Sequence, residues 1–240
     1  MSKKLKVFLG ISYLFILFIF LYFIFSKIEV SRLGDFLYYK ELQKNLEIFV
    51  GNNLIVNLFL FSIFAIIWVA LLGFGSPLLI VSGILFGKWI GTFVSVVSIS
   101  FGALALYALA IFFFEDLVQK IFKNKFSNYI NLFKKNEFYY YFIYRFVGGL
   151  GVPFFLQNIL PVIFNMKKFN YFFSSMLGFI PGFFVFNTIG AGLNKFVKDS
   201  ENFSFIDLIF NKEVYLPLTM FVSLIVISIL IKKKVFDAGH

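Results

Sequence analysis

The chain has 240 residues, of which 60% are hydrophobic and 14% charged, and its mean hydropathy is +0.91. This composition provides too little polar surface for a water-soluble globule, so it predicts an integral membrane protein. A net charge of +10 would suggest nucleic acid as the partner of a soluble protein. Here the lysines flank apolar runs, where anionic lipid headgroups are nearer, and no nucleic-acid partner is expected.

The chain contains no cysteine, and its one histidine is the terminal His240. Thiol catalysis and a cysteine metal site are therefore excluded, and a histidine metal site or catalytic dyad is not expected. We find no pairing of a nucleophile with a base at any spacing. The sequence predicts neither an enzyme nor a bound metal or cofactor.

Apolar runs without Asp, Glu, Lys or Arg predict membrane-spanning helices, because each provides about the ~20 residues that a crossing needs. The first run follows three lysines and could be a cleaved signal peptide, but its length and the lack of a small-residue cleavage site favour an anchor. The runs are 7–26, 54–87, 89–114, 169–194 and 214–231.

These runs divide the chain into three parts. Residues 1–53 are predicted to form an anchor helix and a charge-balanced, extramembrane and partly helical connector, residues 54–193 a membrane core, and residues 194–240 a loop, a last span and a basic tail. Lysines at both ends predict that both termini lie in the cytoplasm. Five full crossings would contradict this, so one apolar segment must cross differently.

The polar stretch 115–137 carries apolar residues at helical spacing between lysines, which predicts an interfacial amphipathic helix. An ordinary solvated connector is the alternative. The apolar positions are Ile121, Phe122, Phe126, Ile130 and Phe133.

Two apolar segments are interrupted by the same G-x-G-x-P pattern. In each copy, a short apolar stretch, a small or polar residue, a lysine and a long span follow. Glycine lowers helix propensity and proline removes a backbone donor, so the pattern should stop a helix inside the membrane. The residues are Gly73, Gly75 and Pro77 in the first copy and Gly149, Gly151 and Pro153 in the second.

Broken backbone is tolerated at membrane depth only beside protein or a water-filled cavity. Matched breaks in two halves of a chain are also typical of transporter binding sites. The sequence therefore predicts an all-α polytopic bundle with two re-entrant hairpins, at about 73–91 and 145–167, in an inverted-repeat arrangement. The alternative is that these glycines and prolines only permit close helix packing.

No acidic residue occurs between Glu47 and Glu115 or between Glu137 and Asp199, which excludes an aspartyl intramembrane protease and argues against a proton relay. Arg145, just before the second break, could hold a phosphate, or it could extend to the interface as an anchor.

Uncharged polar residues in the hairpins could satisfy the broken backbone or line a path for a headgroup. With Arg145, the predicted substrate-binding set is Ser76, Gln157 and Asn158. Ser82, Asn187 and Thr188 are further polar candidates.

Over roughly residues 71–193 the sequence resembles the DedA superfamily, also described as the SNARE-associated Golgi protein or VTT-domain family. The similarity rests on an ordered series of small, aromatic and polar residues. These are Pro77, Gly83, Phe86 and Gly87, then Gly91 and Gly102, then Tyr144-Arg145-Phe146, Pro153 and Asn158, and finally Gly178, Pro181, Gly182 and Gly190.

The resemblance implies an inner-membrane protein with two re-entrant hairpins meeting head-on and an activity in moving lipids between leaflets. Eukaryotic relatives look like phospholipid scramblases, and bacterial ones are associated with membrane homeostasis and recycling of phosphorylated lipid carriers. The chain departs from the best-known bacterial pattern, since it lacks acidic residues near the first hairpin and has Gly151 where a second arginine is expected. Both departures weaken the case for proton-coupled transport.

The leading functional hypothesis is translocation or scrambling of phosphate-bearing lipids, with membrane lipids as partners. An ion-coupled small-solute transporter and a scaffold that does not transport are the alternatives. The sequence leaves open whether the protein forms a homo-oligomer.

Overall fold

The computed structural model describes residues 3–26, 30–32, 35–72, 74–122, 127–200 and 205–236. Within these ranges the protein is helical apart from short connections, and no strand is present. The helices are α1 (Lys3–Phe25), α2 (Phe36–Asn52), α3 (Leu54–Leu72), α4 (Ser76–Phe122), α5 (Ser127–Lys135), α6 (Glu137–Phe146), α7 (Phe154–Ile159), α8 (Lys168–Asp199), α9 (Phe205–Phe210) and α10 (Lys212–Phe236).

Three segments are long and apolar enough to cross a membrane, and they are Leu54–Leu71, Ser76–Asp116 and Lys168–Asp199. The first and last predicted spans form shorter apolar helices, over Phe8–Ile24 and Val214–Ile227. Large apolar side chains cover the outer surface, as at Ile55, which is 79% exposed. Such a surface suits lipid rather than water, so the fold is that of an α-helical membrane protein.

Helix α4 folds back on itself at Gly87, whose φ of 72° and ψ of 177° are accessible essentially to glycine alone. The Ser82 hydroxyl donates to the Gly91 carbonyl at 3.0 Å. A straight helix would separate these residues by about 13.5 Å. Residues 76–86 therefore form a short arm that runs against the long arm, 88–122.

The short arm of α4 also returns along α3. The rings of Phe61 and Phe86 meet edge to face with centroids 5.5 Å apart. Helix α3 and the short arm thus form a helical hairpin, and the connection between Leu72 and Ser76 lies at its far end. The apolar run 54–87 therefore consists of two antiparallel segments, which are separated where the G-x-G-x-P pattern predicts an interruption.

A second helical hairpin runs from α6 to the start of α8. The Glu137 carboxylate, at the beginning of α6, accepts from the Lys167 backbone N–H at 3.1 Å and from Asn170 Nδ2 at 2.7 Å. The end of this hairpin therefore lies beside its beginning, about thirty residues earlier in the chain. Gly148–Gly151 forms a 3-10 turn at the far end, and Asn165 has a φ of 44° in the return turn.

The long arm of α4 and α8 pack antiparallel at the centre of the molecule, since residue numbers rise along one as they fall along the other. As a result, the two hairpins begin at opposite ends of this pair. The contacts are Tyr107 with Tyr171 (4.4 Å between ring centroids), Phe101 with Phe172 (4.8 Å) and Trp89 with Phe184 (4.9 Å).

The polar segments differ in part from the prediction. Residues 115–122 continue α4, α5 is a separate helix over Ser127–Lys135, and residues 123–126 lie outside the described ranges. The predicted interfacial amphipathic helix over 115–137 therefore stays a prediction, and the chain turns at its end at Asn136, whose side chain accepts from the Tyr139 N–H to cap α6. The connector before α3 is partly helical, as predicted, and forms α2.

Helix α2 lies against the C-terminal end of α8. The Lys198 ammonium bonds Glu47 of α2 at 2.7 Å and lowers the pKa of that carboxyl group. Both side chains are about half exposed, so the pair stabilises the contact only modestly.

Candidate functional site

Arg145 lies in the last turn of α6, directly before the second break, and is only 3% exposed. Its side chain points into the protein, so the interpretation as an interface anchor is wrong. Gly178 of α8 makes this burial possible, because a Cβ added there would lie 2.5 Å from the Arg145 Cβ. The glycine therefore lets α6 approach α8 closely.

The guanidinium of Arg145 is held by uncharged acceptors. Its Nη1 donates to Gln157 Oε1 at 2.8 Å, and its Nη2 donates to Asn158 Oδ1 and to the Tyr171 hydroxyl, the latter at 3.1 Å. The Tyr171 hydroxyl in turn donates to Asn158 Oδ1 at 2.9 Å. Gln157 and Asn158 come from α7, so the arginine joins both sides of the break.

Aromatic rings surround the same guanidinium, and we call them the aromatic cage. Such rings attract a cation through their π faces and exclude water from it. The distances from Arg145 Cζ to the ring centroids are 4.9 Å for Tyr141, 4.8 Å for Phe179, 5.4 Å for Phe154 and 5.8 Å for Tyr171.

No carboxylate compensates this buried charge in the part of the chain that the structure describes. Two ion pairs of that part, Arg32–Glu41 and Lys198–Glu47, lie on the surface and away from Arg145. Arg145 Nε and Asn158 Nδ2 are buried donors without an acceptor among the described residues. A buried cation with unfilled donors is costly unless an anion completes it, and a phosphate oxygen has the charge and acceptor capacity to do so.

The second break is held by Gln157. Its Nε2 donates to the carbonyls of Val152, at 2.6 Å, and Gly148, at 3.4 Å. Gly148 and Gly149 have φ of 70° and 69°, and the Gln157 amide packs directly on Gly149 where a Cβ would stand. The amide thus satisfies broken backbone, one of the two roles considered for it, and orients Arg145 as well.

Two residues that sequence reasoning missed hold the first break. The Tyr13 hydroxyl of α1 donates to the Leu71 carbonyl at 2.6 Å, and Trp68 Nε1 donates to the Phe74 carbonyl at 2.9 Å. These carbonyls would otherwise lack partners at the end of α3. Sequence gave no signal for Tyr13, which lies far from the break in the chain.

The remaining predicted hairpin residues are distributed over both breaks. Ser76 and Pro77 are exposed in the first turn of α4, and Ser76 makes no hydrogen bond to Arg145, Gln157 or Asn158 in the described structure. Gly75 faces Ile99, since a Cβ added at Gly75 would lie 3.4 Å from the Ile99 Cδ1. Gly73 lies outside the described residues.

In the second half, Gly151 ends the 3-10 turn, and Pro153 directly precedes α7. Pro181 lies inside α8, which continues through it, and a Cβ at Gly182 would meet open space. Neither residue contributes a break.

A smaller polar cluster lies at the first hairpin. Asn187 Nδ2 bonds the Phe183 carbonyl at 2.8 Å, while its Oδ1 is buried beside Gly91 without a hydrogen-bond donor among the described residues. Gly83 packs directly on the Asn187 backbone. Phe86 is buried against α3. Thr188 bonds only within its own helix, to the Phe184 carbonyl at 2.7 Å.

Two helical hairpins with interrupted helices, the second of which holds a buried arginine without a carboxylate partner among the described residues, define a polytopic membrane protein with a polar site in its core. The family model for the VTT domain matches residues 73–192, which is half of the chain. The chain belongs to this family, whose domain is that of the DedA and SNARE-associated Golgi proteins, as the resemblance indicated. No curated protein and no solved structure matches the chain.

Proposed function

We propose that the protein translocates phosphate-bearing lipids between the leaflets of the cell membrane without changing them chemically. The observation that carries this proposal is Arg145, which is 3% exposed, bonded only to neutral acceptors and left with an unfilled donor at Nε. A cation in this condition attracts an anion more strongly than one that a carboxylate already neutralises.

The hairpins are proposed to be re-entrant, each entering from the face where it begins and turning back at its break. Antiparallel packing of α4 and α8 supports entry from opposite faces, as in an inverted repeat. Full crossings are then assigned to α1, the long arm of α4, α8 and α10. An even number of crossings places both termini on the same side of the membrane. The lysines at both ends of the chain assign that side to the cytoplasm, because positively charged residues are enriched there.

Both breaks lie near the middle of the central helix pair. Gly75 contacts Ile99 in the long arm of α4, and Phe154 packs on Phe179 of α8 with ring centroids 5.6 Å apart. Peptide groups released from helices would give the interior a thin polar seam there. A headgroup passing along the seam would meet Arg145 halfway while its acyl chains stay in the bilayer, so the barrier of crossing hydrocarbon is lowered.

The experiment is a liposome assay with a fluorescent phospholipid and membrane-impermeant dithionite. Active protein exposes inner-leaflet lipid, so quenching should exceed that of protein-free vesicles, in which only the outer leaflet reacts. An Arg145→Gln variant keeps two of the hydrogen-bond donors but removes the charge, and it should lose this excess. Arg32→Gln is the matched control, because Arg32 lies on the surface.

Quenching by the wild type equal to that of empty vesicles would contradict the proposal. If the protein is a scaffold, Arg145→Gln should leave its function in the cell unchanged. Solute uptake that an ionophore abolishes would favour the ion-coupled transporter. Helix content by circular dichroism checks that the variant is folded.

A further inference from the structure

Two distant parts of the chain converge at the return turn of the second hairpin. Lys134 Nζ, at the end of α5, donates to the Asn165 carbonyl in this turn at 2.7 Å. The neighbouring Phe133 ring stacks on the Phe164 ring with centroids 4.4 Å apart. Helix α5 is therefore fixed against the turn by a polar and an aromatic contact.

This convergence gathers four exposed lysines, which we call the basic patch. Lys134 and Lys135 come from α5, and Lys167 and Lys168 come from the turn and the start of α8. In the described part of the chain none of these ammonium groups has a carboxylate partner. The patch is therefore strongly positive.

The single acidic residue between Asp116 and Asp199 is Glu137, which does not neutralise the patch from the surface. It is only 5% exposed, and its Oε1 is engaged by the Lys167 backbone N–H and Asn170. Its carboxylate connects the start of α6 to the start of α8 through these hydrogen bonds, in the interior beneath the exposed lysines. Ligands approaching from outside meet the ammonium groups first.

The surroundings of the patch are those of a membrane boundary. Lys168 begins a helix long and apolar enough to cross a bilayer. Large apolar side chains are exposed beside the lysines, with Phe169 at 71%, Tyr139 at 53% and Leu132 at 50%. Lysines next to exposed aromatic groups are typical of the headgroup layer, where they lie close to lipid phosphates.

We propose that the basic patch is a binding site for the headgroup of a resident anionic phospholipid, which holds α5 against the second hairpin. Four ammonium groups without a carboxylate partner among the described residues match a negative headgroup, and the exposed apolar groups match its acyl chains. The site differs from that of Arg145, which is buried two helical turns further along α6 from Glu137. The proposal does not depend on translocation.

The test measures lipid contact directly. In a W89F background, Phe169→Trp places a reporter beside the patch, and the signal of Trp68 is subtracted with W89F alone. The protein is reconstituted in vesicles containing either brominated phosphatidylglycerol or brominated phosphatidylcholine. The expected result is an apparent binding constant about fivefold or more higher for the anionic lipid, the factor expected for one lysine at an anionic surface. Higher salt should weaken this preference.

The triple variant K135Q/K167Q/K168Q retains the Lys134 contact with Asn165 and should abolish the preference. K88Q is the control, since Lys88 is exposed beside Gly87 at the other hairpin. Equal quenching by both lipids, or a preference that survives in the triple variant, would overturn the proposal. Loss of the preference on adding inorganic phosphate, with sodium chloride at the same ionic strength as the comparison, would also overturn it, because the site would then select a free anion.

Discussion

Arg145 shows how one residue's surroundings decide its role. The sequence places an arginine before a break, and this is sufficient to select it as a candidate. It does not distinguish a surface anchor from a buried cation. That distinction depends on Gly178, which admits the side chain, and on Tyr171 and Asn158, which bond it. The two helices that supply these residues are brought to Arg145 only by the tertiary fold.

The sequence did not identify the tyrosines that contact Arg145. Tyr141 and Tyr171 are buried at the site, but from sequence each looks like an interfacial aromatic residue. Ser76 illustrates the opposite case, since its position next to a break suggested a binding role and the structure leaves it exposed in the other hairpin. A polar residue close to a break in the sequence therefore need not belong to the binding site. Its tertiary contacts decide this.

Gly83 allows the short arm of α4 to touch the backbone of α8 at Asn187. A Cβ at Gly83 would collide with that backbone, so Gly83→Ala should lower the free energy of unfolding by roughly 1–3 kcal/mol. Gly182→Ala is the matched control, because nothing lies within 4 Å of its added Cβ, and it should be neutral or stabilising by up to about 1 kcal/mol. Thermal unfolding in detergent measures both. Equal destabilisation by the two variants would show that the close contact is unimportant.

At the scale of elements, the G-x-G-x-P pattern predicted where helices stop. Both breaks occur at the predicted places, because glycine and proline act locally on the backbone. The turn at Asn136 lies at the end of the predicted polar stretch 115–137, where asparagine is a good N-cap. The return turn at Gly87 lies where the repeated pattern has its small residue and lysine after the short apolar stretch.

Helix α1 is more than an anchor, since Tyr13 caps the first break. Tyr13→Phe removes the hydrogen bond to the Leu71 carbonyl and should lower the free energy of unfolding by about 1 kcal/mol. Tyr22→Phe in the same helix removes a hydroxyl from a side chain that is 78% exposed and should have no effect. Thermal unfolding in detergent compares the pair. Indistinguishable midpoints for the two variants would exclude a capping role.

At the scale of the whole molecule, the repeated pattern suggested two similar units but not how they meet. Their pairing depends on contacts between residues far apart in the chain, such as Tyr107 with Tyr171, which periodicity does not encode. The proposed re-entrant arrangement also bears on the number of crossings. If both hairpins are re-entrant, four full crossings remain, and the lysine bias at the two ends no longer conflicts with the number of apolar runs.

The inverted arrangement predicts opposite membrane faces for the two return turns. Because the chain has no cysteine, Lys88→Cys and Lys167→Cys each introduce a single reactive thiol at an exposed position. We expect a membrane-impermeant maleimide to label the first from outside the cell and the second only after permeabilisation. Labelling of both variants from the same side would contradict the inverted repeat.

The central claim is that translocation needs an uncompensated charge at Arg145, and Asn158→Asp tests it most directly. Asp keeps the oxygen that accepts from Arg145 and Tyr171, and it replaces an amide nitrogen without a partner, so the fold should be retained. The new carboxylate neutralises the guanidinium, with about 4 kcal/mol of attraction at 4 Å for an effective dielectric constant near 20.

In the dithionite assay, Asn158→Asp should slow lipid translocation by about tenfold or more while its thermal stability stays equal to or above that of the wild type. Asn45→Asp adds the same charge at an exposed position on α2 and should leave the rate unchanged. A folded Asn158→Asp protein that translocates lipid at the wild-type rate would contradict the account.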